Sequence, residues 1–445
     1  MSAAWFCRWT EDSVLRDTDS DRRRSGELHE TGTLRLPSRI HFGYGVRRQL
    51  RTILAEHGRR VFAVVDPFLA GSPEFVRLHD ELIADGFTVE VHTEVLPELP
   101  VDSLTASGTV AASFSPDVVL AYGGGSALDA AKLIALLVAH GGPLGAYYGE
   151  NKVPGPVLPI VAVPTTAGTG SEVTPVAVVS DPAQEMKIGI SSPYLIPVAA
   201  VVDPELTLGA PASVTAFAGI DALVHALESY TAAVLPVDWS ETLPVFTGHN
   251  LFAGHLALEA VRQIAPNLAR AVADGGDREA RAQVAYGSLL AGMSFGPSGT
   301  HLSHALQYPI GAITKTPHGL GTGLMIPYVL QACVPVIPLR LAAIDAALGG
   351  SESDPSIAAH DAVDRVAELC HTIGIPRGLA DIGVAQDDLP RIAELALRSK
   401  RLVDMSPIGS HPQTLLTILE AAHAGDRTLI ADPADRGRRT PGARS

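Results

Sequence analysis

Asp221 and His225 stand four residues apart in the apolar run Gly219-Ile220-Asp221-Ala222-Leu223-Val224-His225. On a helix their carboxylate and imidazole project from one face. Downstream, His301 and His304 are three residues apart, Tyr308 lies four beyond His304, and His318 follows in Thr316-Pro317-His318-Gly319. The stretches 285–314 and 316–339 contain no Asp, Glu, Lys or Arg. One carboxylate and several imidazoles in such surroundings point to a metal ion, because a buried charge demands a partner. Together these segments can supply four ligands, and mixed nitrogen and oxygen donors suit Fe(II), Zn(II), Mn(II) or Ni(II).

A second constellation lies upstream. Gly123-Gly124-Gly125-Ser126-Ala127-Leu128-Asp129-Ala130-Ala131-Lys132 follows an apolar run and opens a helical pattern. Glycines let backbone N–H groups approach a phosphate, the helix N-terminus adds partial positive charge, and Ser126 and Asp129 have capping-box spacing. The string is neither GxGxxG nor a P-loop. The segment 163–172, with Thr165, Thr166 and Thr169, reads as a strand followed by a hydroxyl-rich loop that can hydrogen-bond a ribose, phosphate or carboxamide. Asp66 ends another strand, where a carboxylate can accept a ribose 2'-OH and repel a 2'-phosphate, favouring NAD over NADP. In the usual dinucleotide fold the acid follows the glycine turn; here it precedes it.

These groups need a scaffold of two kinds. Runs at 61–65, 88–92, 118–122, 157–163 and 199–202 read as strands alternating with helical patterns, which implies a mostly parallel sheet covered on both faces. After Pro204 the segments 213–230, 251–265, 278–293, 339–347, 358–373 and 389–397 carry helical periodicity. Ser213 and Asp277 are candidate starts, and Gly374 before Pro376 is a candidate stop. The uncharged stretches are broken by Gly296-Pro297, Pro327, Pro335 and Pro338, so they read as buried helices around a site rather than membrane spans. The expected division is an α/β dinucleotide-binding domain at 34–204 and an α-helical metal-binding domain at 205–431, with a flexible extension at 1–33 and a disordered tail at 432–445.

Composition narrows the partners. The chain has 445 residues, 46% of them hydrophobic, and a formal net charge of −15. That size supports two cores, and the acidic balance argues against nucleic acid or an anionic membrane, which need concentrated Lys and Arg. A small soluble substrate fits. Cys7, Cys333 and Cys370 form no CxxC pair, which suits a reducing, cytoplasmic compartment.

The assembled motifs resemble the iron-containing, or group III, alcohol dehydrogenase family over roughly residues 42–424. The resemblance rests on Phe42-Gly43-Tyr44-Gly45, the glycine turn, the 164–172 loop, Asp203-Pro204-Glu205-Leu206-Thr207, the 219–230 helix and the 304–319 block. It implies an N-terminal α/β cofactor domain, an all-α C-terminal domain, a divalent metal in the cleft between them (iron foremost, zinc as the alternative), bound NAD, and a homodimer. It places the metal ligands on Asp221, His225, His304 and His318, the fourteen-residue step between the last two selecting His304 over His301. It places cofactor contacts on Asp66, Gly124, Gly125, Ser126, Thr165, Thr166 and Lys187, with Lys187 near the nicotinamide end; Gly123, Asp129 and Thr169 in the same motifs are further cofactor candidates. Tyr308 and Lys187 are the catalytic candidates, and His301 is a further one, placed either in the pocket or behind the ligands. Tyr308 stands where many members have a histidine, a departure that, with the long 231–251 segment, resembles the hydroxyacid-oxoacid transhydrogenase branch. The implied reaction is hydride transfer between NAD(H) and a small alcohol/aldehyde pair. The alternatives are a transhydrogenase with retained cofactor and a dehydroquinate synthase-like lyase.

Overall fold

The computed structural model describes residues 31–183 and 187–430. The expected tail and all but the last three residues of the expected extension lie outside them. The described residues form nine strands: β1 (Arg39–Phe42), β2 (Arg60–Val65), β3 (Thr88–His92), β4 (Val118–Gly123), β5 (Gly149–Glu150), β6 (Ile160–Pro164), β7 (Val176–Val179), β8 (Ile188–Ser191) and β9 (Ala199–Val202). Six build one sheet in the order β1-β9-β6-β4-β2-β3, every neighbouring pair parallel. β4 and β6 are buried at every residue, and β2 at all but its first. Burial on both faces is why these strands read as continuous apolar runs instead of alternating. Helices α1 (Leu50–Ala55), α2 (Pro73–Ala84), α3 (Val101–Phe114) and α4 (Gly125–His140) supply the cover, leaving one apolar core on each face of the sheet.

Register decides where the sheet ends. Val65 pairs with Tyr122, and Gly123 with Pro164, so β2, β4 and β6 finish side by side and release Asp66, the glycine turn and the threonine loop at one edge. Ligands of parallel α/β sheets bind at that carboxyl edge. A smaller sheet of β5, β8 and β7 lies apart, β5 parallel and β7 antiparallel to β8.

The rest is helical: α5 (Ala212–Thr231), α6 (Leu251–Ala273), α7 (Arg278–Ser298), α8 (Leu302–Thr314), α9 (His318–Cys333), α10 (Pro338–Ala347), α11 (Pro355–Thr372), α12 (Leu389–Arg398), α13 (Lys400–Asp404) and α14 (Pro412–Ala424). Asp277 caps α7, its side chain accepting from the Ala280 N–H, as expected of that start. Ser213 does not cap α5; Pro211 occupies the N-cap and Ser213 sits inside the first turn. The break expected at Gly296-Pro297 comes one residue later, α7 ending at Ser298, whereas Pro327 lies inside α9 and does not end it. From Gly219 to Thr231, α5 is buried all round, and the core of this half wraps it. Cys333 on α9 and Cys370 on α11 are free thiols inside that core. Among the described residues no helix is long and apolar enough to cross a membrane.

Candidate active site

One cleft is lined by both halves. Gly125, Ser126, Asp129 and Thr169 face it from the α/β side, and Asp221, His225, His304, Tyr308 and His318 from the helical side. Asp221 and His225 come from successive turns of α5, His304 and Tyr308 from α8, and His318 from the first residue of α9.

Four of these side chains converge. Asp221 Oδ2 is 3.9 Å from His225 Nε2, while its Oδ1 is 3.8 Å from His304 Nε2 and 3.7 Å from His318 Nε2. Donor atoms around a tetrahedral ion with bonds of about 2.1 Å stand roughly 3.4 Å apart, so these spacings match a shared cation. The outer ring nitrogens set the tautomers. His304 Nδ1 is 2.7 Å from Glu228 Oε2, and His318 Nδ1 is 2.6 Å from Gln307 Oε1. An Nδ1–H donated to each oxygen leaves the Nε2 lone pair facing Asp221. His304 Nε2 is buried with no hydrogen-bond partner, an orphan of the kind a metal ligand leaves when its ion is absent.

Charge agrees with geometry. Burial alone would raise the Asp221 carboxyl, but the imidazoles of His225, His318 and His304 and the Thr322 hydroxyl outweigh it and hold the group below its ordinary range. Burial takes His225 down to about 4 and His318 down to about 3. Neutral imidazoles around an ionised carboxylate are the protonation states that metal binding requires. The residues present therefore fit a divalent cation.

Of the cofactor candidates, Gly125, Ser126, Asp129, Thr169 and Lys187 line the cleft, whereas Asp66, Gly123, Gly124, Thr165 and Thr166 do not, and Thr166 faces a separate small pocket with Thr215 and Arg281. Gly123 has φ +157, and a Cβ there would meet Asp66 Cβ at 2.9 Å; a Cβ on Gly125 would meet Thr169 Cγ2 at 2.5 Å. Asp66 and Thr169 thus close on the glycine turn from either side, with the Thr166 side chain over Gly124. Thr165 is buried and joined to the turn through its backbone, N–H to the Gly123 carbonyl. Lys187 lines the cleft, its Nζ 2.6 Å from Glu98 Oε2.

Comparison with known proteins follows this geometry. The iron-containing alcohol dehydrogenase family profile matches residues 37–204, and the profile of the Fe-containing alcohol dehydrogenase C-terminal domain matches 215–423. The chain belongs to the iron-containing alcohol dehydrogenase family. Among curated relatives, long-chain-alcohol dehydrogenase 1 of Geobacillus thermodenitrificans is 35% identical, covering 87% of this chain and 96% of the relative. The NAD-dependent methanol dehydrogenase of Bacillus methanolicus is 33% identical, covering 81% and 92%. The crystal structure of a 1,3-propanediol oxidoreductase superposes with a TM-score of 0.81 at 30% identity, covering 88% of this chain and all of that one.

Two sequence expectations change within this iron-containing alcohol dehydrogenase site. No capping box joins Ser126 and Asp129: α4 starts from Gly124 without a side-chain cap, and the buried Asp129 carboxylate accepts from Ser171 Oγ at 2.6 Å and Val178 N at 2.9 Å. It ties α4 to the turn at Ser171 and to β7. His301 is fully buried as the N-cap of α8 and bonds Thr231 Oγ1 through Nε2 at 2.8 Å. Thr231 and Glu228 hold it behind the metal cluster, away from the cleft lining. Tyr308 lines the cleft as a pocket candidate should, and burial, opposed by the charge of Arg401, pushes its phenol up, so that at neutral pH it is a hydroxyl able to donate and not a base.

Glu228 was not singled out in the sequence. It lies three residues after His225 on α5, wholly buried, and accepts from the backbone N–H groups of His301 at 2.9 Å and Ser303 at 2.6 Å as well as from His304. Burial would raise its carboxyl, yet His301 and His304 with those N–H donors hold it far below the ordinary range. The signal was available: an acid seven residues after Asp221 repeats the same helix face. Gln307, Thr322 and Arg401 carried no comparable mark.

Proposed function

We propose that this protein transfers hydride between NAD(H) and a small alcohol/aldehyde pair, using a divalent cation held by Asp221, His225, His304 and His318. The convergence of three imidazole Nε2 atoms on one buried carboxylate, in the cleft that also receives the glycine turn, carries this reading. With iron the foremost candidate, the bound cation supplies Lewis acidity toward a substrate oxygen, and NAD the hydride acceptor or donor. The chain's residues do the placing. The N–H groups of the glycine turn and the N-terminus of α4 bind the pyrophosphate, and Thr166 and Thr169 close over it. Asp66 takes the adenosine ribose and disfavours a 2'-phosphate. Phe295, stacked on His225 with ring centroids 4.2 Å apart, excludes water from one side of the metal site. Tyr308 donates its hydroxyl proton in a hydrogen bond within the cleft.

The reading includes an NAD-binding domain at 34–204, a metal-binding domain at 205–431, a homodimer and a cytoplasmic setting, supported by the family resemblance and the acidic, cysteine-poor chain. A retained-cofactor transhydrogenase is the second reading, favoured by Tyr308 standing 6.1 Å, centroid to centroid, from His318. Anaerobic assay of Fe(II)-loaded protein with NADH and small aldehydes separates the two. Steady NADH loss supports the dehydrogenase; interconversion of a paired hydroxyacid and oxoacid without bulk NADH loss supports the transhydrogenase. His304→Ala is expected to abolish metal-dependent turnover while NAD still binds by calorimetry. Full activity in that variant overturns the ligand set.

A further inference from the structure

The charges lining the cleft are matched with one exception. Glu98 pairs with Lys187, Asp129 is taken up by Ser171 and the Val178 N–H, and Asp221 faces the imidazoles. Arg401, on α13, also lines the cleft and makes neither a hydrogen bond nor an ion pair with any described residue. Its guanidinium carbon sits 4.6 Å from the centre of the Phe246 ring. α13 packs on α8, the helix that carries His304 and Tyr308.

The plate beneath Arg401 is fixed. Phe246 packs with Val245 and Met405, the Thr247 N–H donates to the Pro297 carbonyl at 2.7 Å, and the Val245 N–H donates to Glu150 Oε2 at 3.0 Å. Stacking uses the face of a guanidinium and leaves its in-plane donors free for a planar acceptor. A neutral substrate closing this cleft would desolvate that cation without a partner, which costs free energy; a substrate bringing its own anion would not.

We propose that Arg401 recognises a carboxylate on the substrate, so that the cleft prefers short aldehydes and alcohols bearing a terminal carboxylate over neutral ones of the same length. This rests on the dehydrogenase reading above for its chemistry, but not for its binding. The test compares kcat/KM for succinic semialdehyde and for butanal in the metal-loaded protein with NADH. The ratio should favour the carboxylate in the native chain and fall about tenfold to 100-fold in Arg401→Met, chiefly through KM, with Arg401→Lys in between. A purely structural role would lower both substrates together, and an unmoved ratio overturns the proposal. Should neither aldehyde be turned over, the dehydrogenase reading fails while the anion site is still judged by calorimetric titration of succinate into the NAD-bound protein. Binding that is lost in Arg401→Met supports the site; absent binding, or equal binding in both proteins, overturns it.

Discussion

Glu228 shows how one side chain can decide a site without entering it. Its two oxygens receive His304 Nδ1 and the N–H groups of His301 and Ser303, so the start of α8 and the tautomer of a ligand imidazole depend on one buried carboxylate. Partners of this kind tune metal affinity by about 10- to 100-fold. Glu228→Gln keeps the volume but replaces one acceptor oxygen by a donor. Its affinity for Fe(II) or Zn(II) is expected to fall by that factor, read by competition with a chelator, while NAD affinity holds. Unchanged metal affinity would show that the bond to His304 does not orient the ring.

At the scale of elements, the cluster of Asp221 with His225, His304 and His318 depends on how closely α5 and α9 cross. A Cβ on Gly319 would lie 1.9 Å from the Phe217 carbonyl oxygen and 3.1 Å from Asp221 Cβ. Gly319→Ala must therefore push α9, and with it His318, away from Asp221. Overpacking of this sort costs about 1–3 kcal/mol, and the variant should lose metal affinity as well as stability in parallel chelator and urea titrations. A loss of stability alone would mean that the cluster tolerates the shift. The long elements were legible because burial imprints itself on sequence: β2, β4 and β6 as apolar runs, α5 as an apolar helix with two chemically costly residues on one face. The small sheet was not: of the four-residue strands only β9, buried at every residue, stood out as an apolar run, while β1, β7 and β8 are only partly buried and β5 has just two residues. Arg401 was hidden for a related reason, on a five-residue helix whose approach to Tyr308 only the tertiary fold creates.

The whole molecule is tied together where its two halves join. Arg47 Nη1 is 2.6 Å from Asp203 Oδ2 and 2.7 Å from Glu205 Oε2, Arg278 at the start of α7 reaches Glu205 Oε1 at 3.3 Å, and the Tyr44 hydroxyl donates to the Arg278 carbonyl. The Asp203 side chain is fully buried, so losing its cation is costly, though the Gly45 and Glu205 N–H groups still donate to it. Arg47→Met is expected to cost about 2 kcal/mol of stability, measured by urea unfolding. No change would mean that the backbone donors alone satisfy the carboxylate. Deeper in the same body, the thiol of Cys333 is sealed into the helical core, and burial pushes it up. It cannot meet an alkylating reagent as a reactive thiolate until α9 leaves the core. That sulfur is therefore a built-in clock for this fold: the rate at which it becomes modified counts how often the helical half comes apart.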